Sequence, residues 1–424
     1  MKSKYIKVAI FILIATIFST SLVIVSTNAE YKQTEYRELP EEQVYIPRLF
    51  IEGDLFMKDK SEIGNFKVKY KDKNISIEKY ASLKIQGSSS ALYEKKNYTI
   101  KFYDDENCTD KYKIDFGWGR EHKYVLKANW IDKTHARNIV TARIAAQVQE
   151  KYNLLSATPN NGLIDGFPIE VYLNNEFYGL YTLNIPKDEW MYNMDDNNTK
   201  NHIIMVGEMY SPGTMFQEVN LYGWSNQLDD SSEEVQQKMI RLLDFEVNST
   251  DQEFMNDFDQ YINLDAVLNY YVLCHTFNLD DNYGKNLIMI TYNGKVWYPT
   301  LYDLDTSFVT TFNGLGVYEA NYMLNLEANK LFERINNLYG KEIADRYFEL
   351  RKTILSEENI IKEIDKFSNQ IKQSTLEKEQ TRWVNIPGYD TTQMKDYIKE
   401  RLPYIDQLMK SKYPQEINTQ KKKI

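Results

Sequence analysis

The feature that most limits how this chain can fold is a run of acidic and amide side chains along one short ribbon, from Leu279 to Phe308. Asn293-Gly294 separates two apolar runs, Leu287–Tyr292 and Lys295–Tyr302. An Asn-Gly pair flanked in this way predicts a two-residue hairpin, because both turn residues tolerate positive φ. Such a turn sets Tyr292 against Lys295, Gly284 against Asp303 and Asn282 against Asp305. The open end of the ribbon then gathers Asp280, Asp281, Asn286, Asp303 and Asp305. Crowded carboxylates repel one another unless a cation sits among them. The pattern asks for a divalent metal.

Asp281 and Asn286 stand on a loop that leaves a helix and enters a strand, and Asp303 begins the loop after the facing strand. Phosphoryl transfer uses such parts. One Asp orients or deprotonates the attacking hydroxyl, while an Asn and a further Asp hold magnesium against nucleotide phosphates. The step from Asp281 to Asn286 is also that of a protein-kinase catalytic loop, whose metal-binding Asp follows on the next hairpin. Asp and Asn also form turns by capping their own backbone. The second Asp of Asp303-Leu304-Asp305 is harder to explain as turn chemistry.

The 424 residues, 42% hydrophobic and 26% charged, suit an ordinary globular protein of one large domain or two. With net charge −10 and no basic stripe, no nucleic-acid partner is expected. Cys108 and Cys274 are too few and too far apart for a disulfide framework, and Cys274 reads as a small buried hydrophobe. Four His without ligand spacing argue against structural zinc. At the N-terminus, Lys2, Lys4 and Lys7 precede an apolar run from Val8 to Val25, then Thr27-Asn28-Ala29. Residues 1–29 read as an export signal, cleaved or else kept as an anchor. The mature protein is then secreted or held on the outer face of the cytoplasmic membrane, touching the membrane only through that segment.

Residues 30–45 read as a linker. Alternating runs at Arg48–Ile51, Phe66–Tyr70, Ser82–Ile85 and Tyr98–Phe102 predict half-buried strands, and Asp72-Lys73-Asn74 a turn. Ile169–Leu173 and Phe177–Leu183 predict a hairpin around Asn174-Asn175. Helical spacing predicts helices over 134–150 and 233–244, a helix capped by Asn263 and another capped by Ser356. A last helix is expected over 391–411, kinked or ended early by Pro403. The class is α+β: an antiparallel, hairpin-rich body over 46–324, a helical region over 325–411 packed on it, and a basic tail over 412–424 with Lys421–Lys423 at its end.

Two more segments carry chemistry. Gln86-Gly87-Ser88-Ser89-Ser90, followed by Lys95-Lys96-Asn97 and a strand with Lys101, is either a phosphate cradle with nearby cations or a Ser-rich surface turn. Leu126 through Asn138 precedes a helix that Asp132 or Thr134 can cap. Arg137 in its first turn opposes the helix dipole, so it either pairs with a carboxylate or phosphate or is solvated.

In order and wording these segments resemble the spore coat protein H (CotH) kinase-like family. The matching blocks are Gln86–Ser90 with Glu94-Lys95-Lys96-Asn97-Tyr98, Leu126–Asn138, Asn174-Asn175-Glu176-Phe177-Tyr178-Gly179-Leu180-Tyr181, and Asp281…Asn286 with Tyr302-Asp303-Leu304-Asp305. The resemblance implies an atypical protein-kinase-like fold that uses ATP with Mg²⁺ or Mn²⁺ to phosphorylate Ser or Thr of secreted, surface or coat proteins. It implies Asp281 as the catalytic Asp with Asp280 as its rival, and Asn286, Asp303 and Asp305 on the metal. Gly87, Ser88, Ser89 and Lys96 or Lys101 would face the nucleotide, with Arg137 in the pocket or its scaffold. The chain departs from the family wording at Gln86 (Arg), Glu94 (Pro), Asn184 (Glu) and Tyr302 (Trp). Two other readings use the same residues: a non-catalytic surface or coat assembly module that keeps the fold, and a metal-dependent hydrolase.

Overall fold

The computed structural model describes residues 44–228 and 230–413. They belong to one unit, Leu39–Ile424. The export segment, most of the linker and Lys421–Lys423 lie outside the described residues.

The first half carries β1 (Arg48–Glu52), β2 (Gly64–Lys71), β3 (Ser76–Gln86), β4 (Asn97–Tyr103), β5 (Ile114–Asp115), β6 (Arg120–Glu121), β7 (Lys123–Lys127), α1 (Arg137–Lys151), β8 (Gly166–Leu173) and β9 (Glu176–Asn184). Seven of these strands close into a barrel in the order β1-β2-β3-β4-β7-β9-β8. The alternation that marks β2 decides its two faces: Phe66, Val68 and Tyr70 are buried, and Lys67, Lys69 and Lys71 are exposed. Leu49, Leu83, Ile100, Tyr124 and Ile169 complete the barrel interior. Every neighbouring pair is antiparallel except β1 with β8, whose parallel pairing closes the cylinder and leaves no open edge. That parallel pair joins segments far apart in sequence, and no local pattern announces it. Asn174 and Asn175, at φ 50° and 67°, make the two-residue β8–β9 turn, with Leu173 opposite Glu176.

The second half adds β10 (Ile203–Gly207), β11 (Trp224–Asn226), α2 (Glu233–Asn248), α3 (Asp251–Asp257), α4 (Leu264–Phe277), β12 (Ile288–Thr291) and β13 (Tyr298–Thr300). Then come α5 (Lys330–Leu338), α6 (Gly340–Arg351), α7 (Glu357–Ser368), α8 (Gln373–Arg382) and α9 (Thr391–Lys412). A second antiparallel sheet runs β11-β10-β12-β13. α4 is apolar almost all round and packs on α1, α6 and α9. Cys274 is buried within it as a free thiol. Asn263 caps it by accepting from the Ala266 N–H, as Ser356 caps α7 from Asn359. The mixed helix and strand content is α+β.

The last helix, expected over 391–411, spans Thr391–Lys412, while the Asn-Gly hairpin and the early stop at Pro403 fail. The Asn293-Gly294 loop is not a two-residue turn, since β12 and β13 pair Ile288 with Thr300 and Met289 with Pro299, one residue out of step. Gly294 alone of the pair has positive φ. The Asn293 side chain instead accepts from the Lys295 and Val296 amides, and the buried Trp297 bonds Tyr261 and Asn263 just before α4. Burying the indole and satisfying that backbone outweigh the local turn preference. Nor does α9 end at Pro403; it runs on to Lys412. One lost helical hydrogen bond is a small cost against the buried face formed by Ile398, Leu402, Ile405 and Met409.

Arg401 on α9 fixes the end of α4. It is fully buried and has no carboxylate partner among the described residues. Its guanidinium donates to the carbonyls of His275, Ala320 (2.8 Å) and Tyr322 (2.6 Å). A cation at the C-terminus of α4 also complements the helix dipole. Asn278, in left-handed conformation at φ 54°, then turns the chain toward Asp280 and Asp281. Arg401→Met strands the buried His275 carbonyl and unpairs those of the less buried Ala320 and Tyr322, and should lower the unfolding free energy by roughly 1–3 kcal/mol. A urea midpoint that falls with unchanged slope would verify this, and an unmoved midpoint would refute it.

Candidate active site

A cleft of about 670 Å³ opens between the barrel end and the second sheet. The turn after β3 (Gln86–Ser90), Lys95, the exit of β7 (Lys127, Asn129, Trp130), Lys187 and the end of β10 line one side. Asp280, Asp281, Lys285, Asn286, Tyr302, Asp303 and Asp305 line the other. The structure thus brings together Gly87, Ser88, Ser89 and all five acidic and amide residues read from the sequence.

Their convergence does not come from the ribbon register. Asn282 Nδ2 donates to the Tyr302 carbonyl at 2.7 Å and so ties the two loops together beyond the ladder. The amide of Asn286 bonds the Gly207 carbonyl at 3.3 Å, and the Gly207 amide bonds Leu287 at 2.7 Å. A Cβ on Gly207 would lie 2.2 Å from the Gly284 carbonyl, so only glycine allows this approach. Asn138, in the first turn of α1, accepts from the Leu304 amide at 3.0 Å. Asn286 and Asp303 both hold left-handed backbone, at φ 65° and 55°. Such strain in non-glycine residues gathers at functional sites, and Asn and Asp tolerate it best.

Charge is distributed unevenly. Lys127 Nζ lies 2.8 Å from Asp303 Oδ1. Burial opposes the charge on Asp303, but Lys127, with Lys187 and Lys285 farther off, holds its carboxyl below the usual range. Burial and the neighbouring Asp303 and Asp280 push Asp281 up to about 6. Burial and Asp303 push Asp305 up to about 8. Asp280 accepts from the Tyr283 hydroxyl at 3.2 Å, and burial raises its pKa. Lys187 stands 4.7 Å over the Tyr302 ring and pairs with no carboxylate among the described residues; burial lowers its pKa.

Lys96 and Lys101, one of which is expected to face the nucleotide, are elsewhere, and of the two places expected for Arg137 the structure gives the scaffold. Lys96 Nζ donates to the carbonyls of Ala91 (3.0 Å) and Tyr93, which locks its own turn. Lys101 lies four residues along β4 from the cleft-lining Asn97, about 13 Å away at strand rise, among Lys123 and Lys111. Arg137 is fully buried beneath the site: Nη1 donates to Ser307 O, Nη2 to Gln393 Oε1, and Nε lies 3.4 Å from Asp132. It is scaffold. The cations that do reach the cleft are Lys95, Lys127, Lys187 and Lys285. Lys127 and Lys285 lie inside the singled-out segments Leu126–Asn138 and Leu279–Phe308, though neither reads as a site residue there; Lys187 lies in none.

Among the described residues, no three Asp, Glu, His or Cys side chains converge closely enough to hold an ion by themselves. The donors present are hard oxygens, and Lys127 already engages one of them. Magnesium is commonly held by one or two carboxylates with substrate phosphates completing its shell. This donor set fits a cation that arrives with phosphate groups rather than a resident metal in a protein cage.

No curated protein matches the sequence. Residues 83–405 match the family model described as CotH kinase protein. That span contains every cleft-lining residue named above, and the chain belongs to the CotH kinase family.

Proposed function

We propose that the protein is a kinase-like phosphotransferase with a kinase-like fold, which binds ATP with Mg²⁺ or Mn²⁺ in the cleft and phosphorylates Ser or Thr of a secreted, surface or coat protein. The observation that carries this reading is the meeting of Asp281, Asn286 and Asp303 across the cleft from the Gly87–Ser89 turn. Gly87 lines the cleft at φ 109°, a backbone conformation that side-chain-bearing residues rarely adopt, so the turn needs glycine, and such a turn can offer backbone amides to a phosphate. Among the described residues Lys187 is the cleft lysine without a carboxylate partner, and it is a better candidate for phosphate charge than Lys96 or Lys101. Asp281 would take the proton of the attacking hydroxyl; a carboxyl poised near 6 is suited to that role. Asp280, engaged by Tyr283, is less free to do so. Asn286 and Asp303, with Asp305 behind them, would hold the cation, which when bound neutralises phosphate charge.

Residues 1–29, read as an export signal, would put this activity outside the cytoplasmic membrane. Among the described residues no helix is long and apolar enough to cross a membrane. One observation favours a non-catalytic assembly role instead: Lys127 occupies the Asp303 carboxylate. Nucleotide binding separates the two. Asp281→Asn should keep Mg·ATP affinity and lower the phosphorylation rate by roughly 10²–10⁴-fold. Asp303→Ala should lose the affinity itself while its circular dichroism stays that of the wild type. Calorimetric titration and radiolabel transfer read these outcomes, and wild-type protein that binds no Mg·ATP would end the kinase reading.

The raised Asp305 carboxyl makes a second prediction. An acid whose folded pKa lies above its unfolded value costs stability as pH rises from the unfolded pKa through the folded one, here from the ordinary aspartate value of 3.8 to about 8. In chelator, the wild type should therefore lose thermal stability across that window. Asp305→Asn should flatten the decline, melting higher than wild type at pH 8 and equally at pH 4. Parallel melting curves for the two proteins would sink the idea.

A further inference from the structure

Lys95 lines the cleft, yet it has no proton to offer a ligand. Its buried Nζ donates to the Ala128 carbonyl at 2.9 Å, to the Leu180 carbonyl, and to Glu379 Oε1 at 2.6 Å. Those three acceptors use all three N–H groups of an ammonium. Glu379 comes from α8, 284 residues away in sequence, and is 3% exposed. Its other oxygen accepts from the Leu180 amide at 2.7 Å. α8 is pinned to the β8–β9 hairpin on either side of this residue: Thr375 donates to Glu170 at 2.7 Å, and the Trp383 indole donates to the Tyr178 carbonyl at 2.9 Å. His135 Nε2 stands 3.9 Å from Glu379, but burial and Lys95 keep that imidazole neutral. Lys95 is therefore the cation that balances Glu379.

The Ala128 carbonyl held by Lys95 belongs to the residue after Lys127, whose own ammonium holds Asp303. Asn97 grips the same point, its Oδ1 accepting from the Ala128 amide at 2.7 Å. We propose that Glu379 is a positioning residue of the nucleotide site: through Lys95 and Ala128 it fixes the exit of β7, and so the Lys127–Asp303 pair. The inference rests on the kinase reading for its ligand and on the hydrogen-bond chain alone for its geometry.

A double-mutant cycle on the full chain tests it with Mg·ATP as the titrant. E379Q should weaken Mg·ATP binding about tenfold in the wild-type background and by nothing further in the K95M background. Equal losses in both backgrounds, or wild-type affinity in E379Q, would overturn the proposal. A second measurement needs no nucleotide. Lys127 should react with an amine-acetylating reagent about fivefold faster in E379Q and in K95M/E379Q than in the wild type, as its pairing loosens. Unchanged labelling would also overturn it. If K95M alone fails to fold because it strands the Glu379 charge, E379Q and the neutral K95M/E379Q pair decide the matter by labelling. If the wild type binds no Mg·ATP, the kinase reading fails and the labelling still decides this one.

Discussion

Repulsion between aspartates is the constraint that organises this molecule. Asp281, Asp303 and Asp305 share one cleft wall, and without compensation their charges would push the loops apart. Lys127 relieves the strain at Asp303 with a 2.8 Å ion pair. The other two carboxyls respond by holding their protons more tightly. The cleft is thus balanced as it stands but poised for further positive charge. The elements around it hold the groups in that arrangement: Arg401 at the end of α4, Asn138 under Leu304, and Asn282 across to Tyr302.

The two halves of the chain divide the labour. The barrel supplies a glycine turn and lysines at one end of its strands. The second sheet and its loops supply the acids. The C-terminal helices return to both. α9 braces the acid side through Arg401 and, by way of Gln393, supports Arg137. α8 braces the barrel side through Glu379. Family membership over 83–405 includes these returning helices, which is consistent with their being part of the site rather than an appendage.

Much of the local structure was legible in the residues. Alternation in β2, the Asn174-Asn175 turn and the caps at Asn263 and Ser356 all act within a few residues, where sterics and hydrogen bonding have no competitor. The Asn293-Gly294 pair looked like a stronger turn signal than Asn174-Asn175, and it failed. Trp297 needed burial beside α4, and that long-range demand shifted the register by one. The acids still line one cleft, but through loop ties at Asn282 and Gly207 rather than through the ladder. The lysines fared worse. The family wording points to Lys96 or Lys101, but a long flexible side chain goes wherever a partner lies. Lys96 found carbonyls of its own turn.

What the sequence by itself determined is the chemistry available: which short runs become strands, which residues cap helices, that Asp and Asn side chains are concentrated between Leu279 and Phe308, and the family wording that names them together. What only the tertiary structure decided is which cation meets which acid. Lys127 with Asp303, Lys95 with Glu379 and the parallel seam of β1 on β8 join points far apart along the chain. Such pairings are fixed by closure of the barrel and return of the tail helices, and a Coulombic or hydrogen-bonded partner at that separation leaves no trace in the spacing of neighbouring residues.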